Sequence, residues 1–182
     1  MPNYQVIGTE ELLAKFKALS EAVQGDALAE ATMSGGQIIL EAAKGNIQEQ
    51  GLIRTRTLSR SLSEEVVEKS PQRAVVAVGT NLEYAAIHEF GGVIQAKRRK
   101  YLAIPVGELT GSPMKYDLHA IKTRKGNLVL MDASGKVQYV LKPSVRIPAR
   151  PYLRPAFDEK HGQAQEKIGE SLKIMIEKAA AG

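Results

Sequence analysis

The chain has no cysteine and no tryptophan. Without thiols there is neither a disulfide framework nor a thiolate metal site. Histidine is scarce as well: His88, His119 and His161 are the three present, and none forms the i, i+4 pair around a glutamate that zinc hydrolases place on one helix face. His88 and His161 fall on apolar helix faces and read as hydrogen-bonded core or interface residues. No stretch approaches the roughly 20 apolar residues that a membrane-spanning helix needs. The opening residues, M-P-N-Y-Q-V-I-G, have neither a basic start nor a long apolar run, so no secretory signal is expected. There is no G-x-x-x-x-G-K-[ST] phosphate loop and no G-x-S-x-G elbow; Ser134-Gly135-Lys136 leads into a strand pattern, which denies it the helix N-terminus such a loop requires. The reading is of a protein that is not an enzyme, with no catalytic, cofactor-binding or metal-ligating residues and no small-molecule substrate.

What is present is an uneven distribution of charge. The 182 residues carry a net charge of +5. Residues 94–150 hold 12 Lys and Arg against Glu108, Asp117 and Asp132, a balance of +9, which leaves −4 for the rest. A basic segment set into a mildly acidic chain suggests a separate surface with its own partner, although cationic strand edges also serve to block sheet-to-sheet aggregation. The length fits a single domain, 1–182, with an inserted basic β-rich region at about 93–146.

The periodicity predicts an α+β protein. Thr9 is placed to cap a first helix with an inward stripe of Leu12, Leu13, Phe16, Leu19 and Val23. Gly25 ends it, and Asp26 opens a second helix presenting Leu28, Ile38, Ile39, Ala42, Ala43 and Ile47. The Gly35-Gly36 pair inside that helix marks either a bend or the close approach of another backbone. The polar stretch 51–62 reads as a loop. Strands at 62–68 and 73–78 join through a turn at Ser70-Pro71-Gln72, and the apolar run 74–78 is expected to be covered on both faces. A short helix at 83–90 follows, with Phe90 in the core. Beyond it come short strands, with a hairpin of 127–131 and 137–141 about the turn 132–135, and a loop at 107–125. A final helix at about 155–180 carries Phe157, Ala164, Ile168, Leu172, Met175, Ile176 and Ala179. The arrangement expected is N-terminal helices and a long C-terminal helix on a mostly antiparallel sheet, with an extended β-hairpin and loop insertion.

Two motifs stand out: V-G-T-N-L-E-Y-A-A-I-H-E-F-G-G at 78–92, and I-P-A-R-P-Y-L-R-P-A-F at 147–157. In the second, prolines stiffen the backbone, while Arg150 and Arg154 flank Tyr152, a combination suited to docking on carboxylates or to a rigid entry into the last helix. A third cluster, Lys97-Arg98-Arg99-Lys100, reads as a plain solvated face, or as a contact for an acidic protein surface or a phosphate backbone. Tyr84-Ala85, His88-Glu89-Phe90-Gly91-Gly92 and Ile147-Pro148-Ala149-Arg150-Pro151-Tyr152-Leu153 occur in the order found in the tail-completion and head–tail joining (neck) proteins of long-tailed bacteriophages. The chain resembles this virion-morphogenesis family, Mu-like members included, where Y-L-A-I-P-V also has counterparts. Tyr152 stands where phenylalanine is usual, and the Thr57-Leu58-Ser59-Arg60-Ser61 element lacks the family's leading glycine.

The resemblance implies a virion protein of the tail and neck, assembled in the host bacterial cytoplasm. It implies a homo-oligomeric ring, a hexamer, that completes and terminates the tail tube and joins it to the head connector. Its partners would be copies of itself, the tail tube protein, the connector or stopper protein, and the genome DNA passing through the lumen, with no membrane. The residues expected to shape the subunit or partner interface are Tyr84, Glu89, Phe90, Gly91, Gly92, Arg150, Pro151, Tyr152 and Arg154. Lys97, Arg98, Arg99 and Lys100 are expected to meet DNA, a neighbouring subunit or a partner's acidic surface. The alternative is a basic nucleic-acid-binding module that contacts duplex DNA through its inserted hairpin.

Overall fold

The computed structural model describes residues 9–52 and 55–181, the side chains of Thr9 and Glu11 excepted. The capping role of Thr9, and positions 53 and 54 of the stretch before the first strand, lie outside the described residues. The chain divides into two compact units, Met1–Glu89 with Arg150–Gly182, and Phe90–Ala149. Helices and antiparallel strands are both present, as expected, but the strands form three small sheets rather than one.

The first unit contains α1 (Thr9–Glu21), α2 (Asp26–Glu49), α3 (Thr57–Ser61), β1 (Ser63–Lys69), β2 (Ala74–Gly79), α4 (Ala85–Phe90, whose last residue crosses the boundary) and α5 (Leu153–Ala181). Its core is built on α2. Ile39, Leu40, Ala43 and Ile47 share one helix face and are buried. They pack with Leu58 and Leu62, Ala85 of α4, and Tyr152, Ala156 and Ala164 at the start and middle of α5. The antiparallel β1–β2 hairpin turns at residues 70–73, where the Ser70 N–H donates to the Arg73 carbonyl at 2.7 Å.

Gly35 explains how α2 and α5 come so close. A β-carbon there would lie 2.7 Å from Cγ1 of Ile168 and 2.9 Å from the backbone oxygen of Ala164. The Gly35-Gly36 pair therefore marks a close approach, and the Ser34 and Ser171 hydroxyls meet at 2.9 Å beside it.

The second unit is all β apart from a 3-10 turn at Pro113–Lys115. β3 (Gly92–Gln95) pairs with β8 (Ser144–Ile147). A four-stranded antiparallel sheet runs in the order β4 (Leu102–Pro105), β7 (Val137–Lys142), β6 (Leu128–Met131), β5 (His119–Lys122). Val129, Gln138 and Tyr139 are its buried residues.

Four expectations change. Leu12, Leu13 and Phe16 of α1 are exposed: an apolar period shows that a helix face is suited to a partner, not that the partner lies in the same chain. β2 is half-buried rather than covered on both sides, with Ala77 exposed. Residues 57–61 form a short helix, because Leu58 and Leu62, four apart, both turn into the core. The loop expected at 107–125 contains β5, an exposed edge strand whose faces carry no inside–outside alternation.

Gly35→Ala is expected to destabilise the protein by about 1–3 kcal/mol through overpacking against the α5 backbone. Gly45→Ala, in the same helix with nothing within 4 Å of its added methyl, is expected to stabilise by about 1 kcal/mol. Thermal melting of the two variants should move in opposite directions.

Candidate interface around the start of the last helix

The side chain that organises the first unit is Glu89. It is 6% exposed and sits on the inward side of α4. One carboxylate oxygen accepts the N–H groups of Tyr152 and Leu153 at 2.7 and 3.0 Å, and the other accepts that of Arg154 at 2.9 Å. A helix start leaves its first N–H groups without intrahelical partners and carries a partial positive charge. Here three of those donors close on one carboxylate, and the next residue, Pro155, has no N–H to satisfy. An internal glutamate, 63 residues upstream of Tyr152 in the chain, thus does the work usually left to a local capping residue.

The segment entering α5 is held from α2 as well. Asn46 Nδ2 donates to the Tyr152 carbonyl at 3.0 Å, and Gln50 Nε2 to that of Pro151 at 2.7 Å. The Arg150 N–H donates to the His88 carbonyl at 2.7 Å. Tyr152 is fully buried; burial first, then the Glu89 carboxylate and the Tyr84 phenol, push its hydroxyl above its ordinary pKa. Tyr84 meets the His88 ring edge-on at 6.0 Å.

Of the residues expected at an interface, the structure therefore places Glu89 and Tyr152 inside the first unit. Pro151 and Gly91 are half-buried, while Tyr84, Gly92, Arg150 and Arg154 are exposed. Phe90 is 78% exposed, which overturns its expected place in the core: the six-residue α4 turns Ala85 and Glu89 inward, and Phe90 falls on the opposite side. Gly91 has φ +67°, and a β-carbon there would lie 2.7 Å from the Ala149 nitrogen, so only glycine fits between the outgoing and returning chains.

Lys97, Arg98, Arg99 and Lys100 are all exposed on the connection between β3 and β4. They rim a cleft of about 630 Å³ with Leu102, Met114, Tyr116, Leu118, Leu130 and Leu141 among its lining. Lys100 Nζ stands 5.6 Å from the centre of the Tyr101 ring, and Arg99 Nη2 lies 2.7 Å from Met114 Sδ. The cleft was invisible to sequence reasoning because its walls come from four separate stretches. Phe157 was also misplaced by its period: it is exposed, stacked on His161 at 5.9 Å.

The β6–β7 turn is fixed by Asp132. Oδ1 accepts the Ser134 hydroxyl and the Ser134 and Lys136 N–H groups, and Oδ2 accepts the Gln138 amide. The Ser134 hydroxyl, then the Gln138 amide and the Lys136 N–H, hold its carboxyl down to about 2. A carboxyl depressed on folding contributes stability above its unfolded value of 3.8 and loses it as the pH falls through about 2.

Two outcomes follow. Glu89→Ala, which strands one buried and two partly buried N–H groups, is expected to lower unfolding free energy by about 3–5 kcal/mol, measured by denaturant titration. The stability gap between the native protein and Asp132→Asn is expected to shrink as pH falls from about 4 to about 2, read as melting temperature against pH.

No described helix is long and apolar enough to cross a membrane. No curated protein and no solved structure matches the chain. Residues 10–91, from within α1 to just past Glu89, match the family model described as Bacteriophage HK97-gp10, putative tail-component, so this stretch is similar to a structural component of phage tails.

Proposed function

We propose that the protein is a structural component at the head-proximal end of a phage tail, where copies form a ring that ends the tail tube and joins it to the head connector. The observation that carries this reading is the three-bond clasp of Glu89 on the start of α5. It stiffens the point at which both sequence motifs meet, and around it Tyr84, Phe90, Arg150 and Arg154 are displayed to solvent. Exposed aromatics and arginines on a rigid base are the composition that protein interfaces favour. The similarity of residues 10–91 to a tail component supports the same assignment. In this reading Glu89, Gly91 and Tyr152 shape the contact surface from within, and no bond of a bound substrate is made or broken.

The test is complementation of a phage lacking the gene. Phe90→Ala and Arg150→Ala are expected to melt like the native protein, within about 0.5 kcal/mol, because both side chains are exposed. Both are expected to yield tails of abnormal length or tails without heads in negative-stain images. Normal particles from both variants would overturn the reading.

A further inference from the structure

The basic cleft of the second unit and the start of α5 in the first carry complementary features. The cleft has four exposed cations on its rim and aliphatic side chains on its floor. At the start of α5, Phe157 is 59% exposed and is followed directly by Asp158 and Glu159, both exposed. Asp158 faces Arg154 at 3.8 Å in a solvent-facing i, i+4 pair, the kind that exchanges readily. Residues 94–150 carry +9 against −4 for the remainder.

We infer that the cleft receives Phe157, Asp158 and Glu159 of a second copy of this chain. The ring of Phe157 lies against the floor formed by Leu102, Leu130 and Leu141, and the two carboxylates face Lys97, Arg98, Arg99 and Lys100. A cleft walled by leucines and methionine accepts an apolar anchor. For single-stranded nucleic acid it offers two tyrosines rather than a row of aromatic faces: Tyr101 is half-buried under Lys100, and the Tyr116 hydroxyl is held by the Thr110 carbonyl. Because the two surfaces differ, the contact is head-to-tail: it closes into a ring or continues as a filament. This specifies the self-association on which the proposed function rests.

The absence of native cysteine makes the test direct. Met114→Cys places a thiol at the cleft, and His161→Cys places one a turn beyond Phe157, each in a separate chain. Mixed under mild oxidation, the two are expected to give predominantly the mixed disulfide rather than either self-dimer. Asp158→Lys with Glu159→Lys in the His161→Cys chain is expected to lower its yield about tenfold. Lys97→Glu, Arg98→Glu, Arg99→Glu and Lys100→Glu together in the Met114→Cys chain should restore it. Absence of the mixed product at the highest soluble concentration, equal yields from all pairings, or no restoration by the charge exchange would each overturn the inference. So would a cleft-reversed chain that still self-associates but loses a salt-sensitive gel shift with DNA, which would assign the cations to nucleic acid. A gene needed for normal tails whose product gives no mixed disulfide would leave the proposed function standing and this pairing refuted. A mixed disulfide from a gene dispensable for tails would do the reverse.

Discussion

A single buried carboxylate sets the geometry of the larger unit. Glu89 sits at the end of a six-residue helix that has little stability of its own, yet its two oxygens collect three backbone donors from the start of a 29-residue helix. The arrangement works in both directions. The helix start gains the acceptors it lacks, and the short helix gains an anchor. Bonds to an ionised acceptor are about twice as strong as neutral ones, and burial keeps water from competing for them. The carbonyls of Pro151 and Tyr152 are taken by Gln50 and Asn46 in the same region, while the buried Nδ1 of His88 has no hydrogen-bond partner among the described residues.

The packing of α2 on α5 extends the same tight fit along the unit. Gly35 lets the two helices approach until a methyl group would touch the α5 backbone. The small residues Ala43, Ala156 and Ala164 are buried within that core. Small side chains at a crossing trade apolar area for rigidity, because the backbones rather than flexible side chains define the contact.

Much of this was legible in the sequence. The 3.6-residue period located α2 and α5, and turn residues located both the β1–β2 and β6–β7 hairpins to within a residue or two. Glu89, Phe90 and the 150–154 segment were expected to shape a subunit interface. What they do to one another was not legible, since a carboxylate reaching across more than 60 residues to a helix start leaves no local pattern. The misplacement of Phe90, Phe157 and the Leu12, Leu13 and Phe16 stripe has one cause. Apolar character was equated with burial inside the chain, whereas each of these side chains is exposed. The cleft beside Lys97–Lys100 escaped because its floor is assembled by strand pairing between distant segments.

The hydrogen bond from Arg150 to His88 ties together the two points where the chain leaves and re-enters the first unit. It brings the departure and return of an insertion of about 60 residues to adjacent points on one framework. A loop whose ends already touch can grow, shrink or be replaced with little effect on the rest, because closure entropy rises only slowly with length. Changes in the length of the second unit are thus expected to cost the first unit little stability.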